Sequence, residues 1–180
     1  LYGRRPEEIA VLPGVMPILG RTRQEAHDVL DRLQSFVTSS NAALLLSGRL
    51  GIDVSGFPLD DKVPDLPLPD TSHGFARAML SKAKREGMTW RDMHNLTGAA
   101  RGHWVIAGTA TDIADTLQEW FETDAADGFN ILPPYFPGAF QDFVDLVVPI
   151  LQARGLFRRD YTGTTLREHL GLTRPRSRLF

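Results

Sequence analysis

The segment HWVIAGTATDIADTLQEWFETDAADGFNILPPYFPGAF, from His103 to Phe140, constrains the fold more than any other part of the chain. Its opening apolar run, His103 to Ala107, has the length of a strand, and Gly108-Thr109 ends it with a turn and a helix cap. Ile113, Leu117, Trp120 and Phe121 then recur at helical spacing and predict one apolar helix face. Gly128 leads into a second strand, Phe129 to Leu132, and a further helix is expected from about Gly138. Strand, helix, strand, helix with connections of a few residues is the pattern of β-α units in a parallel sheet, so the class is α/β. Pro149 would break a backbone bond in a helix interior, and is expected to open a second turn of helix ending at Gly155.

The earlier part is more mixed. Ile9 to Leu19, IAVLPGVMPIL, reads as a strand interrupted at Pro13-Gly14. Thr22-Arg23-Gln24-Glu25 matches a capping box, and Ala26, Val29, Leu30, Leu33, Phe36 and Val37 give the helix behind it one apolar stripe. Asn41 to Leu50 is a second helical segment, stopped near Gly51. From Ile52 to Asp70 there are five Asp and four Pro without a sustained period, so residues 52–70 are expected to form an irregular excursion. Thr71-Ser72 can cap a helix running to Glu86. Thr89 starts another, with Trp90, Met93 and Leu96 as its apolar face. Three strands, near Ile9, His103 and Phe129, leave the edges of a parallel sheet without cover.

Composition narrows the function classes. The 180 residues include 42% apolar and 23% charged residues, which is ordinary for a globular domain. No apolar run reaches the roughly 20 residues of a membrane span. A formal charge of −2 offers no global attraction to nucleic acid, and the absence of cysteine removes disulfides and thiolate chemistry and fits a reducing, cytoplasmic setting. The opening LYGRRPEEIAVLPG carries neither a starting methionine nor a signal-peptide pattern, and reads as the middle of something larger.

Chemistry-bearing motifs are sparse. Pro133-Pro134-Tyr135-Phe136-Pro137 follows a strand, at the sheet end where α/β folds place their sites. Its aromatics suit the wall of a site for a flat or apolar ligand, and equally the cover over a core, which is the commoner role. Gly108-Thr109 can present backbone N–H groups to a phosphate, although an ordinary threonine cap explains it better. Of the five histidines none stands in a metal-binding spacing. His73, just after the excursion, is the one best placed to approach a site. Asp60-Asp61 is a possible acid and base pair, but adjacent carboxylates in such a loop are usually solvated. Arg154, Arg158, Arg159, Arg167, Arg174, Arg176 and Arg178 make the 156–180 tail and the turn before it basic, without the aromatic platform of a nucleic-acid binder.

Four segments resemble one family. VLPGVMPILGRTRQEA (Val11 to Ala26), LSGRLGIDVSGFPLDD (Leu46 to Asp61), GTATDIADTLQEWFETDAADGFNI (Gly108 to Ile131) and VVPILQARGLFRRDYTGTTLREHLGL (Val147 to Leu172) are similar to the C-terminal part of luciferase-like flavin-dependent monooxygenases. The branch resembled is that of nitrilotriacetate monooxygenase component A, dibenzothiophene-sulfone monooxygenase and long-chain alkane monooxygenase. The resemblance implies that residues 1–180 are one partial domain, the closing portion of a TIM-like (β/α)₈ barrel whose last three strands are the three counted above. It also implies reduced FMN as co-substrate, supplied by a separate NAD(P)H:FMN reductase. One atom of O₂ would enter an organic substrate through a flavin C4a-hydroperoxide, with the protein holding and shielding the flavin. Homo-oligomers are common in such enzymes.

On this reading the main FMN ligands precede Leu1, and the isolated chain is expected to be inactive. Some relatives place a substrate-side histidine in the segment matching Leu46 to Asp53, where this chain has Arg49 nearest. Arg49, His73 and Tyr135 are therefore the candidates for lining the substrate cavity. The rival from another class is a non-catalytic α/β module that binds a protein partner through its exposed sheet edges.

Overall fold

The structure, a computed structural model, describes residues 3, 9–67, 74–100, 102–172 and 176–177. Chain order is β1 (Gly14–Leu19), α1 (Arg23–Ser35), α2 (Ser39–Leu50), α3 (Gly74–Glu86), α4 (Trp90–Ala100), β2 (Trp104–Gly108) and α5 (Ala110–Glu122). Then come β3 (Asn130–Ile131), α6 (Gly138–Asp142), a π-helical turn (Phe143–Val147), α7 (Val148–Ala153) and α8 (Leu166–His169).

All three strands are parallel, in the order β2-β1-β3. Three consecutive barrel staves would run in chain order. Here the first strand takes the middle, which suits its composition: Val15 and Ile18 are fully buried, and both edges of β1 find a partner. The β1–β2 ladder runs from Val15 opposite Trp104 to Leu19 opposite Gly108, and the Gly20 N–H extends it to the Gly108 carbonyl at 3.1 Å. On the other edge the Leu132 N–H reaches the Val15 carbonyl at 2.8 Å, after which the chain turns into Pro133-Pro134. Backbone direction alternates along a strand, so Pro17 lies with its missing N–H toward the side where β3 has already ended. That is how a proline fits a central strand.

One difference from the sequence reading has a local cause. β1 begins at Gly14, because Pro13 closes off the extended Ile9–Pro13 segment and leaves Ile9, Val11 and Leu12 exposed. Pro149 opens a further turn of helix, as expected. The turn before it widens to i→i+5 bonding, and Pro149 then falls in the first turn of α7, where an N–H is dispensable. Gly155, at φ +74°, closes the helix as its position predicts.

The core has two parts. One fastens α5 and the π turn onto the sheet through Val15, Ile113, Leu117, Phe143 and Val147. Trp120 stacks on Trp104 at 4.2 Å between ring centroids, whereas Phe121, predicted on the same face, is exposed. The other part joins α2, α3 and α4 through Leu46, Leu50, Met79, Trp90 and Met93. The described part of the excursion is fastened to it. Val54 is buried, Phe57 stacks on Trp90 at 4.7 Å, and Lys62 bridges Thr89 in antiparallel fashion. The backbone N–H groups of Trp90 and Arg91 reach back to the carbonyls of Asp61 and Leu59. Thr71 and Ser72, the predicted cap of α3, lie outside the described residues. No helix among the described residues is long and apolar enough to cross a membrane.

Candidate functional site

A cleft of about 420 Å³ opens at the C-terminal end of the sheet. Its floor is Leu19 and Gly20 at the end of β1. Arg21 and Glu25 flank it at the start of α1, Thr109, Ala110 and Thr111 at the start of α5, and Asp142 and Leu146 on the far wall. The volume falls within the range of small-molecule sites, and the position is the one parallel α/β sheets use for ligands.

Both helices that open into the cleft are already capped. Thr22 accepts a 3.1 Å bond from the Glu25 N–H, while the Glu25 carboxylate turns back to the Arg21 N–H at 2.9 Å. Thr109 and Asp112 form a full capping box: the Asp112 N–H donates to Thr109 Oγ1 at 3.2 Å, and the Thr109 N–H donates to the Asp112 carboxylate at 3.0 Å. Arg23 closes on the same carboxylate from α1. The Arg23 guanidinium, then the Thr109 hydroxyl and N–H, hold the Asp112 carboxyl well below the usual carboxylate range. These caps answer the choice left open at Gly108-Thr109, since the threonine serves α5. They also bear on FMN. The caps engage the Glu25 and Asp112 N–H groups, and Glu25 and Asp142 add negative charge, so the cleft disfavours a flavin phosphate.

Tyr135 lies beside the cleft. With Pro134, Ile18, Val29 and Ala139 it covers a pit of about 10 Å³, and this pit shares Leu19 and Asp142 with the cleft. Half of Tyr135 stays exposed. Phe136 points outward, 6.0 Å from Phe140, and the Phe136-Pro137 peptide is cis. The lip thus divides its two aromatics, one over the core edge and one to solvent. Arg49 lies elsewhere, at the end of α2 with its guanidinium 4.9 Å from the centre of the Phe75 ring, and it lines neither the cleft nor the pit. His73 falls outside the described residues. Asp60 is paired with Arg91, at 2.8 and 3.1 Å, which places it in a salt bridge. Among the described residues no group of three or more His, Asp or Glu could hold a metal ion.

Gly20, Asp142 and Leu146 carry no motif and were not singled out from sequence. For Gly20 a signal existed: glycine directly after a strand and before a capped helix. A Cβ there would stand 2.3 Å from the Ala26 nitrogen. The chain can bend into α1 only without one.

No family model matches the chain. Individual proteins do. It is 43% identical over 180 residues to N-acetyl-S-(2-succino)cysteine monooxygenase of Bacillus subtilis (strain 168), covering 98% of this chain and 41% of that protein. It is 43% identical over 178 residues to nitrilotriacetate monooxygenase component A of Aminobacter aminovorans, covering 98% and 39% respectively. Among solved structures, DmoA from Hyphomicrobium sulfonivorans superposes with a TM-score of 0.74 at 26% identity, over 92% of this chain and 34% of that one. The riboflavin lyase RcaE, solved with modified FMN and riboflavin, gives 0.70 at 25% identity over 93% and 36%. The chain spans about two-fifths of the length of the curated relatives it matches. By sequence and by fold, the chain is similar to about two-fifths of the length of the luciferase-like monooxygenases, the part that its four quoted segments resemble.

Proposed function

We propose that this chain forms the closing part of a two-component monooxygenase barrel. Reduced FMN from a separate NAD(P)H:FMN reductase, together with O₂, would supply the oxygen-insertion chemistry on a small organic substrate. The observation that carries the reading is the 43% identity to two named monooxygenases over almost every residue of the chain. The cleft at the C-terminal sheet end is the matching geometry. Leu19, Ala110 and Leu146 give it apolar wall, and Tyr135 stands at its rim. In this role the chain shapes the mouth of the cavity, excludes water from it and orients the substrate. The flavin phosphate is held elsewhere, since the carboxylates of Glu25 and Asp142 line this cleft. A cytoplasmic, homo-oligomeric enzyme completes the proposal.

A segment exchange tests it. In nitrilotriacetate monooxygenase component A the 178 matching residues are replaced by this chain, and substrate loss is followed with reductase, NADH, FMN and O₂. A chimera with FMN-dependent oxygenation supports the reading, and a folded chimera without it overturns it. Titrated alone with FMN, the 180-residue chain should show no stoichiometric quenching.

A further inference from the structure

A second cavity, of about 320 Å³, lies between α1, α2 and α4 and shares no residue with the cleft. Its base is His94, only 6% exposed, and neither ring nitrogen has a hydrogen-bond partner. A polar side chain so buried normally finds one. Burial, and then the nearby Arg91 charge, lower the His94 pKa from its ordinary value, so at neutral pH the ring offers one donor and one acceptor.

Two further donor sets meet there. The N-terminus of α2 enters at Ser39, and its cap residue Thr38 makes no side-chain cap bond, unlike the threonines that open α1 and α5. No cap side chain therefore accepts from the first-turn N–H groups of this 12-residue helix. Arg91 also lines the cavity. Asp60 engages its Nε and Nη2, which leaves the Nη1 hydrogens available. Val37, Ala42 and Leu59 supply an apolar side, and Asp31 adds a carboxylate to the lining.

We propose that this cavity binds a small monocarboxylate. Its carboxylate would accept from the α2 N-terminus, Arg91 and the His94 ring, with a short aliphatic body against Val37, Ala42 and Leu59. Asp31 selects against a second negative charge, which places hydrogen phosphate below a monoanion. The assignment does not depend on the monooxygenase reading.

The test is a titration of the full chain with sodium propionate at constant ionic strength, read from backbone amide and histidine ring NMR shifts. The Ser39, Ser40 and Asn41 amides and the His94 ring should shift together and saturate. Ser39→Pro is compatible with the first helical position and removes one donor, and it should weaken binding about tenfold, the worth of one charge-assisted hydrogen bond. His94→Phe keeps an aromatic ring in the buried position, removes both nitrogens and should weaken binding by about the same factor. Phosphate should bind the same residues about tenfold more weakly than propionate. Shifts that rise linearly without saturating, that survive both substitutions, or that favour phosphate would overturn the proposal.

Discussion

Arg23 and Asp112 lie 89 residues apart and meet in a forked ion pair, the Arg23 Nε standing 3.1 Å from each carboxylate oxygen. The pair joins the first turn of α1 to the cap of α5 across the C-terminal end of the sheet. One carboxylate thereby performs two tasks, joining two β-α units and capping the start of α5.

That double role gives Asp112 a pH signature. Its folded pKa is depressed, chiefly by Arg23, so the stability it contributes is complete above the unfolded carboxylate value of about 3.9. It is lost as pH falls from there toward the folded value. Thermal melts of the native chain should lose stability over that acid range. In Asp112→Asn the melting temperature should be lower at neutral pH and its acid decline shallower, and parallel acid limbs in the two proteins would contradict the assignment.

Thr109 supplies the other half of the cap. Thr109→Ala should cost about 1 kcal/mol in urea denaturation, the usual worth of a threonine N-cap, while Thr109→Ser should retain most of that. If Thr109 instead served a phosphate ligand, its removal would leave the stability of the free chain unchanged.

The α5 cap, the Gly155 stop and the α/β class were legible because each depends on residues within one or two turns of each other. The sheet order was not. β1 becomes central through contacts with residues about 90 and 115 positions away, and no local period encodes which strand flanks which. The excursion likewise reads as loose from its Asp and Pro content. What orders it is long-range: Phe57 on Trp90 and Asp60 on Arg91. The cleft was legible only at its Thr109 side and at the neighbouring Tyr135. Asp142, at the end of α6, and Leu146, in the π turn, line it from a helix that the sequence presents as regular.

His94 predicts a pH dependence in a second range. Its folded pKa is lowered by burial and by Arg91, so below the unfolded histidine value of about 6.5 the unfolded chain binds more protons than the folded one. Stability therefore rises with pH through that region and is lost as pH falls below it. Arg91 and Asp31 line the same cavity as the ring, with opposite charges. Denaturation midpoints should decline from pH 7 to 5.5 in the native chain, with a smaller decline in His94→Gln.

Two glycine substitutions should have opposite signs. At Gly20 a Cβ would meet the Ala26 nitrogen at 2.3 Å and the Thr22 carbonyl oxygen at 2.7 Å, and both are backbone atoms that move only if α1 moves. Gly20→Ala should therefore destabilise by about 2 kcal/mol, as overpacking does, and should displace the helix that flanks the cleft. At Gly48, inside α2, nothing lies within 4 Å of the added atom. Gly48→Ala should stabilise by about 0.5–1 kcal/mol, the helix-propensity gain of alanine over glycine. Urea midpoints of the two variants should fall on either side of the native chain. A Gly20→Ala protein as stable as the native one would mean that β1 does not turn into α1 by this close approach.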